Sequence, residues 1–534
     1  MSMRNTLAML VLVVSSHASA QTVEAPVVLG TLAGASDAQP APGAGLYGTD
    51  LGWSFVHDNQ LFMLFGDSWH DQNSVCSIAA GRLPTNDDAE ARLPLSWGAS
   101  SLPWPGVPAL EYVGQPAQPT QFEPIQVLRD GVSLNMGLDR TPLTGFSDGT
   151  RAIGVFESAN FTRCNPLDDD DEDSCADPFV CATHIGECQP TVFGIPQLCD
   201  AERMVGCSEG QLCVVSGAGY CVDRSSSQFE PAYQVPLEVE FSVPRKDAPT
   251  TWESKLTFPT NKFFNMTART VRSLGDRRHA PDFTPGTGTV LIWGRPGYNS
   301  GADRDTGLYL MQHSLPLQED AAGKFIFEPL YFAGLDNHER PKWSKHQKRA
   351  KPLALDGQVG GSPSENVQAI NQMAISWLGA PIHKWVMMYG GGNGMTSAWP
   401  WLSAAAGGDL PLGAIAVRFA DNPWGPWSPP KTHWAPGSPD EPGTPLGPGG
   451  VLFHPDCVSQ NGVLCAASDP VRPAHALNEQ CAPPTEERDA GFFYAANIID
   501  AYTQMNTKGG VDLFWNVSTW NPYRVLLMRT SIQP

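Results

Sequence analysis

Residues Tyr47–Trp69, YGTDLGWSFVHDNQLFMLFGDSW, decide the fold. Two apolar runs, Leu51–His57 and Gln60–Phe65, flank the polar pair Asp58-Asn59. Asp and Asn tolerate positive φ, so the pair reads as a two-residue hairpin turn. That turn sets His57 against Gln60, Phe55 against Phe62 and Trp53 against Leu64. Carried to the open end, the same register brings Asp50 opposite Asp67 on one face. Opposed Cβ atoms lie roughly 4.5–5.5 Å apart, and carboxyl groups about 5–5.5 Å apart suit a retaining glycosidase. Both runs are apolar on both faces, which predicts a hairpin inside a layered β structure. The plainer alternative is that Gly66-Asp67-Ser68 is only a turn, and a one-residue slip would part the two acids.

The chain opens MSMRNTLAMLVLVVSSHASAQ, with a basic start, an apolar run from Leu7 to Val14, and Ala18-Ser19-Ala20. This pattern predicts a secretory signal peptide over residues 1–20, cleaved near Ala20, and a secreted or periplasmic mature protein. No later run approaches the length of a membrane span. The net charge of −21 argues against nucleic acid or anionic membranes as partners. With 52 Gly, 48 Pro, 16 Trp and 23 Phe, and without long helix-period stretches, the composition suits an all-β chain with many turns.

Outside the hairpin, strand-like segments recur along the whole chain. Val27–Leu32 precedes it, and Asn73–Arg82 is the expected third strand. Residues 84–120 read as a long surface connection. Five strand groups start near residues 47, 123, 266, 366 and 493. Radial repetition of small sheets predicts a five-bladed β-propeller spanning residues 21–534, with Val27–Leu32 completing the last sheet to close the ring. A pair of β-sandwiches is the alternative.

One segment differs in kind. Residues 164–223 carry eight Cys between Cys164 and Cys221, and 12 Asp and Glu against one Arg, including the run Asp168–Asp173. They read as an acidic, disulfide-rich insertion without a core of its own. Eight Cys allow 105 pairings, so connectivity stays open. The acidic run lacks the spacing of a calcium loop, and no paired CxxC suggests zinc. The sequence implies no metal and no cofactor.

Four motifs carry a family resemblance: GTDLGWSFVHDNQLFMLFGDSW at 48–69, KWVMMYGG at 384–391, FADNPWGPWS at 419–428 and STWNPYRVLLMRT at 518–530. Together they resemble the secreted endo-D-arabinanases of glycoside hydrolase family 183, from about residue 25 to 534 apart from the Cys-rich insertion. The resemblance implies a five-bladed propeller, internal cleavage of α-linked D-arabinofuranose chains such as mycobacterial arabinan, retention of configuration, and two catalytic Asp in the first blade. Those two map onto Asp50 and Asp67. The chain departs from the family at Asn371-Gln372-Met373-Ala374-Ile375, where an amide stands in place of an expected acid.

Further candidates follow from position. Arg295 is placed to bind sugar hydroxyls or to hold a carboxylate ionised. Trp69, Trp293 and Trp520 are candidate sugar platforms, Trp69 foremost because it lies two residues past Asp67, while Trp53 alternates with core residues. Asn371, Asp148, Asp282 and Asp500 lie near strand ends and could line the same mouth. The expected partner is a polysaccharide bound by a monomer; a non-catalytic glycan-binding propeller is the alternative reading.

Overall fold

The computed structural model describes residues 21–34, 48–58, 60–69, 95–99, 122–133, 142–158, 179–182, 187–190, 211–216, 218–223, 237–248, 250–260, 262–263, 265–272, 288–295, 307–355, 369–391, 414–437, 442–445, 451, 492–520 and 524–534. The signal segment 1–20, Asn73–Arg82 and most of the Cys-rich insertion lie outside them. The described residues are all-β and take a propeller-like arrangement. No α-helix occurs among them; short 3-10 turns such as Gln347–Arg349 and Asp500–Tyr502 are the nearest approach.

Eight strands matter for the site: β1 (Gly48–His57), β2 (Gln60–Trp69), β3 (Pro142–Ser147), β4 (Asn265–Val271), β5 (Gly288–Arg295), β6 (Ala369–Leu378), β7 (Phe492–Ile498) and β8 (Val511–Trp520). Strand β1 starts a four-stranded sheet that continues through β2, Leu95–Ala99 and Phe122–Pro124. Strand β3 starts a six-stranded sheet, β4 a five-stranded one, β6 a four-stranded one, and β7 another of six. These first strands pack side by side: β1 against β3, β3 against β4, β4 against β6, β6 against β7, and β7 against β1.

All five run the same way: Ala268 on β4 meets Thr144 on β3, and Arg269 and Ser376, toward the C-terminal ends of β4 and β6, both reach Asp500 just past β7. Tyr494 meets Asp50 and Asn497 meets Gly52 and Ser54, so residue numbers rise together along β7 and β1. On the other flank, Ser147 Oγ hydrogen-bonds His57 Nδ1 at 2.8 Å, joining the C-terminal ends of β3 and β1. The starts of the inner strands therefore share one end of the structure, as do the C-terminal ends of the strands that turn back beside them.

Apolar faces hold neighbouring sheets together. Leu51, Trp53 and Phe55 pack with Phe493, Ile498, Trp515 and Val517 in one cluster. Each of these large side chains is buried, which stabilises the seam by roughly 1.5–3 kcal/mol per residue.

The hairpin behaves as its sequence implies near the turn, where Asp58 takes φ 49° and His57↔Gln60, Phe55↔Phe62 and Trp53↔Leu64 are paired. Val27–Gly34 pairs antiparallel with Arg524–Gln533, joining the two ends of the chain in one sheet. Other expectations need correction. The third strand of the first sheet is Leu95–Ala99, inside the segment read as a surface connection. The group starting near residue 123 is not an inner strand. Phe122–Pro124 edges the first sheet, Gln126–Arg129 lies parallel to Thr251–Thr260 on the outside of the second, and the inner strand is Pro142–Ser147. That strand is short and contains Pro and Gly, so alternation gives it no signal. The insertion leaves the second sheet after Ala152–Ser158 and returns at Leu237–Pro244. Its described parts are two small hairpins, in which Cys181 faces Cys188 and Cys213 faces Cys221 across the strands.

Candidate active site

Asp50 is a buried carboxylate, 6% exposed, at the start of an inner strand. The simple register fails just there. Thr49 pairs with Ser68 and Leu51 with Phe65, so Asp50 alone faces two residues, Gly66 and Asp67. One step on, Gly52 is the extra residue on β1, and the original register resumes at Trp53↔Leu64. Two opposed bulges thus cancel. They are made possible by Leu51 at φ 66° and Gly52 at φ 84°, a left-handed pair that a β-branched residue would strain.

The kink is held from the last sheet. Leu51 N donates to Ser518 Oγ at 2.7 Å. Asn497 Nδ2 and Asn516 Nδ2 both donate to the carbonyl oxygen of Gly52, each at 2.7 Å. Tyr494 Oη donates to Asp50 Oδ2 at 2.9 Å. Tyr494 is itself presented by a bulge, since Ala495 takes φ 50° and the β7–β8 register shifts between Tyr494 and Asn497. Asp50 Oδ1 lies over Gly66, where an added Cβ would come within 2.3 Å of it. These four partners were not among the sequence candidates. The available signal was polar residues (Asn497, Asn516, Ser518) interrupting otherwise apolar strands.

The inner-strand polarity sorts the other candidates. Asp67 lies on β2 beside Gly66, and Trp69 faces Gly48. Arg295 ends β5 opposite Asn265 and is buried, 1% exposed. Trp520 faces Phe492 at the end of β8, and Asn371 sits in the bulge between Ile370 and Met373 on β6. By register all of these share the Asp50 end. The side chains of Asp67, Trp69, Asn371 and Trp520, and the whole of Asp282, lie outside the described residues.

Three expectations are corrected. Trp293 is fully buried, its Nε1 donates to Pro423 O at 2.8 Å and its ring packs 5.7 Å from Trp385, so it is a core residue and no sugar platform. Asp500 lies beyond the C-terminal end of β7, away from Asp50, and is paired with Arg269 at 2.7 Å and with the Ser376 hydroxyl. Asp148 follows the C-terminal end of β3, beside His57, about 23 Å along the strand from Asp50 at ~3.3 Å per residue. It anchors its own turn through Thr150 and Arg151. Burial alone would raise the Asp148 pKa, but the Arg151 guanidinium and the Thr150 and Arg151 donors outweigh it and hold the carboxyl below its usual value.

Among the described residues no three His, Cys, Asp or Glu side chains gather as a metal site would need. What the Asp50 end offers is an anchored carboxylate, a phenol bound to it, and a second Asp on the adjoining strand.

No family model and no curated protein matches the sequence. Solved structures are similar at a distance. A candidate hydrolase from Bacteroides ovatus ATCC 8483 is 10% identical with a TM-score of 0.30, over 91% of this chain and 86% of that one. Trypanosoma rangeli sialidase, solved with sialic acid, is 7% identical with a TM-score of 0.28, over 90% of this chain and 44% of its own. A puromycin-hydrolyzing peptidase of Mycobacterium tuberculosis is 11% identical with a TM-score of 0.14, over 76% of this chain and 56% of that one. Likeness at this level carries no argument about activity.

Proposed function

We propose that the chain is an exported glycoside hydrolase, a five-bladed β-propeller that cuts D-arabinofuranose polymers internally with retention of configuration. The observation that carries this reading is Asp50, a carboxylate buried and anchored at the same end of the ring as Asp67, whose neighbour Gly66 lies beneath it. Burial of a charged group is costly, and a fold that only bound neutral sugar would not need to hold one there. The resemblance of the four sequence motifs to family 183 supplies the substrate class.

In this reading one Asp attacks the anomeric carbon as the other gives its proton to the leaving oxygen. Water then displaces the ester, yielding its proton to the second carboxylate. Trp69, Asn371 and Trp520 would contact the sugars flanking the cut, whereas Arg295, at 1% exposure, is too buried to meet them. The substrate is a polysaccharide, the enzyme is a monomer acting outside the cytoplasm after loss of residues 1–20, and neither nucleic acid nor a cofactor takes part.

The deciding experiment incubates purified protein with arabinans, galactans and fructans and sizes the products. Short D-arabinofuranose oligomers are expected from arabinan alone. Binding to arabinan without any cleavage would instead support a glycan-binding propeller.

A further inference from the structure

We propose that Tyr494 is a positioning residue for this reaction, which makes Asp50 the nucleophile and leaves proton transfer to Asp67. The inference rests on the hydrolase reading above and goes beyond it in dividing the roles.

The geometry is specific. An ionised carboxylate only accepts hydrogen bonds, and a phenol beside it must donate. Tyr494 Oη lies 2.9 Å from Asp50 Oδ2, with both groups buried, at 3% and 6% exposure. A hydrogen bond to the charged form favours that form, and bonds to ionised acceptors are about twice as strong as neutral ones. A nucleophile has to be ionised when substrate arrives, whereas the acid partner has to carry a proton. The phenol therefore supports the first role at Asp50.

The bond also fixes direction. With Oδ2 held by Tyr494, the carboxylate cannot swing about its Cβ–Cγ axis, and Oδ1 is the oxygen placed over Gly66. The backbone beneath is clamped as well, by Asn497 and Asn516 on the Gly52 carbonyl and by Ser518 on the Leu51 amide. All four donors or acceptors come from β7 and β8, so the last sheet aims a carboxylate that belongs to the first. The bulge at Ala495, φ 50°, turns Tyr494 toward Asp50.

Bond changes then divide as follows. The Asp50 carboxylate forms the bond to the anomeric carbon, the bond to the leaving oxygen breaks, and Asp67 supplies the proton to that oxygen. In the second step water forms the new bond, the ester to Asp50 breaks, and Asp67 recovers the proton. Tyr494 keeps its proton throughout.

The test is Tyr494→Phe, which removes one hydroxyl and keeps the ring in the core. Turnover on arabinan should fall roughly 10- to 100-fold, the worth of one hydrogen bond to a charged group, with KM and melting temperature little changed. The loss should be equal for aryl arabinofuranosides with good and poor leaving groups, because the acid is untouched. In an Asp50→Gly background rescued by azide, Tyr494→Phe should cost nothing more, since the carboxylate it held is gone. The same loss in both backgrounds would reduce Tyr494 to a structural residue and overturn the proposal. So would azide rescue of Tyr494→Ala but not of Asp50→Gly, which would make the phenol itself the nucleophile. A readout without turnover separates this from the hydrolase reading: isotope-edited infrared difference spectra, parent minus Asp50→Asn, report the Asp50 carboxylate stretch. That band should shift in Tyr494→Phe, and an unmoved band would overturn the proposal. A parent inactive on every furanoside tested would defeat the hydrolase reading alone.

Discussion

Arg269 and Asp500 close one end of the ring. Arg269 projects from β4 and its Nε lies 2.7 Å from Asp500 Oδ2, just past β7, with a longer contact of 3.5 Å from Nη2 to Ile498 O. Strands β4 and β7 are not neighbours, so the guanidinium reaches across the middle from one inner strand to another. Ser376 on β6, which stands between them, binds the other oxygen of Asp500. Three inner strands are thereby tied together at the end opposite Asp50.

This tie predicts a clean separation of stability from activity. Asp500→Asn or Arg269→Met should lower stability by roughly 1–3 kcal/mol, since Arg269 is nearly buried while Asp500 is 44% exposed. Turnover at temperatures well below melting should be unchanged. Loss of turnover in Asp500→Asn with melting unaltered would return Asp500 to the substrate site.

Gly66 gives a second prediction. A Cβ there would lie 2.3 Å from Asp50 Oδ1 and 2.7 Å from Leu51 Cδ1. Neither atom has room to retreat, because Leu51 is fully buried and its amide is bound to Ser518. Gly66→Ala should therefore push Asp50 off its place, cutting turnover by two orders of magnitude or more if Asp50 acts in the reaction, and costing about 1–3 kcal/mol in stability from overpacking. Chemical denaturation and steady-state kinetics on the same variant check both arms.

The Asp50 corner also shows where sequence reasoning stops. The hairpin, its turn at Asp58 and the return of Val27–Gly34 to the last sheet were readable, because each depends on local turn chemistry or on alternation along one segment. The double bulge at Asp50 was not. It depends on Leu51 and Gly52 taking left-handed backbone angles, which are fixed by Asn497, Asn516 and Ser518 more than 440 residues away in sequence. Pro142–Ser147 was missed for another reason: its strand form comes from pairing with Ala152–Ser158 on one side and packing in the ring, so a weak strand former suffices. Trp53 was marked as a core residue by its alternation, whereas Trp293 looks like an exposed platform in sequence and only packing shows it buried.

Acid stability should carry the mark of His433. Its ring sits between the outer strand of one sheet and the last sheet, with Nε2 2.7 Å from Thr530 Oγ1 and the Trp515 ring 5.7 Å away. Burial, assisted by the charge on Lys431, lowers its pKa from 6.5 to about 4. A lowered His pKa means that the unfolded chain binds the proton more readily. The parent's stability should therefore fall as pH drops from 6.5 toward 4, by about 3 kcal/mol from this group, and the contribution should level off below. Above pH 6.5 it is constant. In His433→Gln, which keeps a polar partner for Thr530, the difference from the parent should shrink by that amount across the same window. Denaturant midpoints at pH 7, 5.5 and 4 measure it, and parallel curves for parent and variant would remove His433 as the source.

The reaction itself stands or falls with Asp50 and Asp67. Asp50→Asn keeps the size of the side chain and an oxygen for Tyr494, so the two bulges and the hairpin should persist, as near-parental melting would show. What is lost is ionisation, and if Asp50 attacks the sugar, turnover on arabinan should fall on the order of 10³-fold or more. The smaller Asp50→Gly leaves space over Gly66 that azide can enter, so added azide should restore part of the activity and release a glycosyl azide of inverted configuration. Asp67→Asn should behave differently. Without its proton donor the enzyme should lose most activity on arabinan, whose leaving alcohol needs protonation, yet retain the first step on aryl arabinofuranosides with good leaving groups. An intermediate should then accumulate, visible as a burst followed by slow turnover. If the burst appears in Asp50→Asn and the azide product in an Asp67 variant, the two roles are reversed. If both Asn variants remain folded and cleave arabinan at the parent's rate, neither carboxylate performs the reaction.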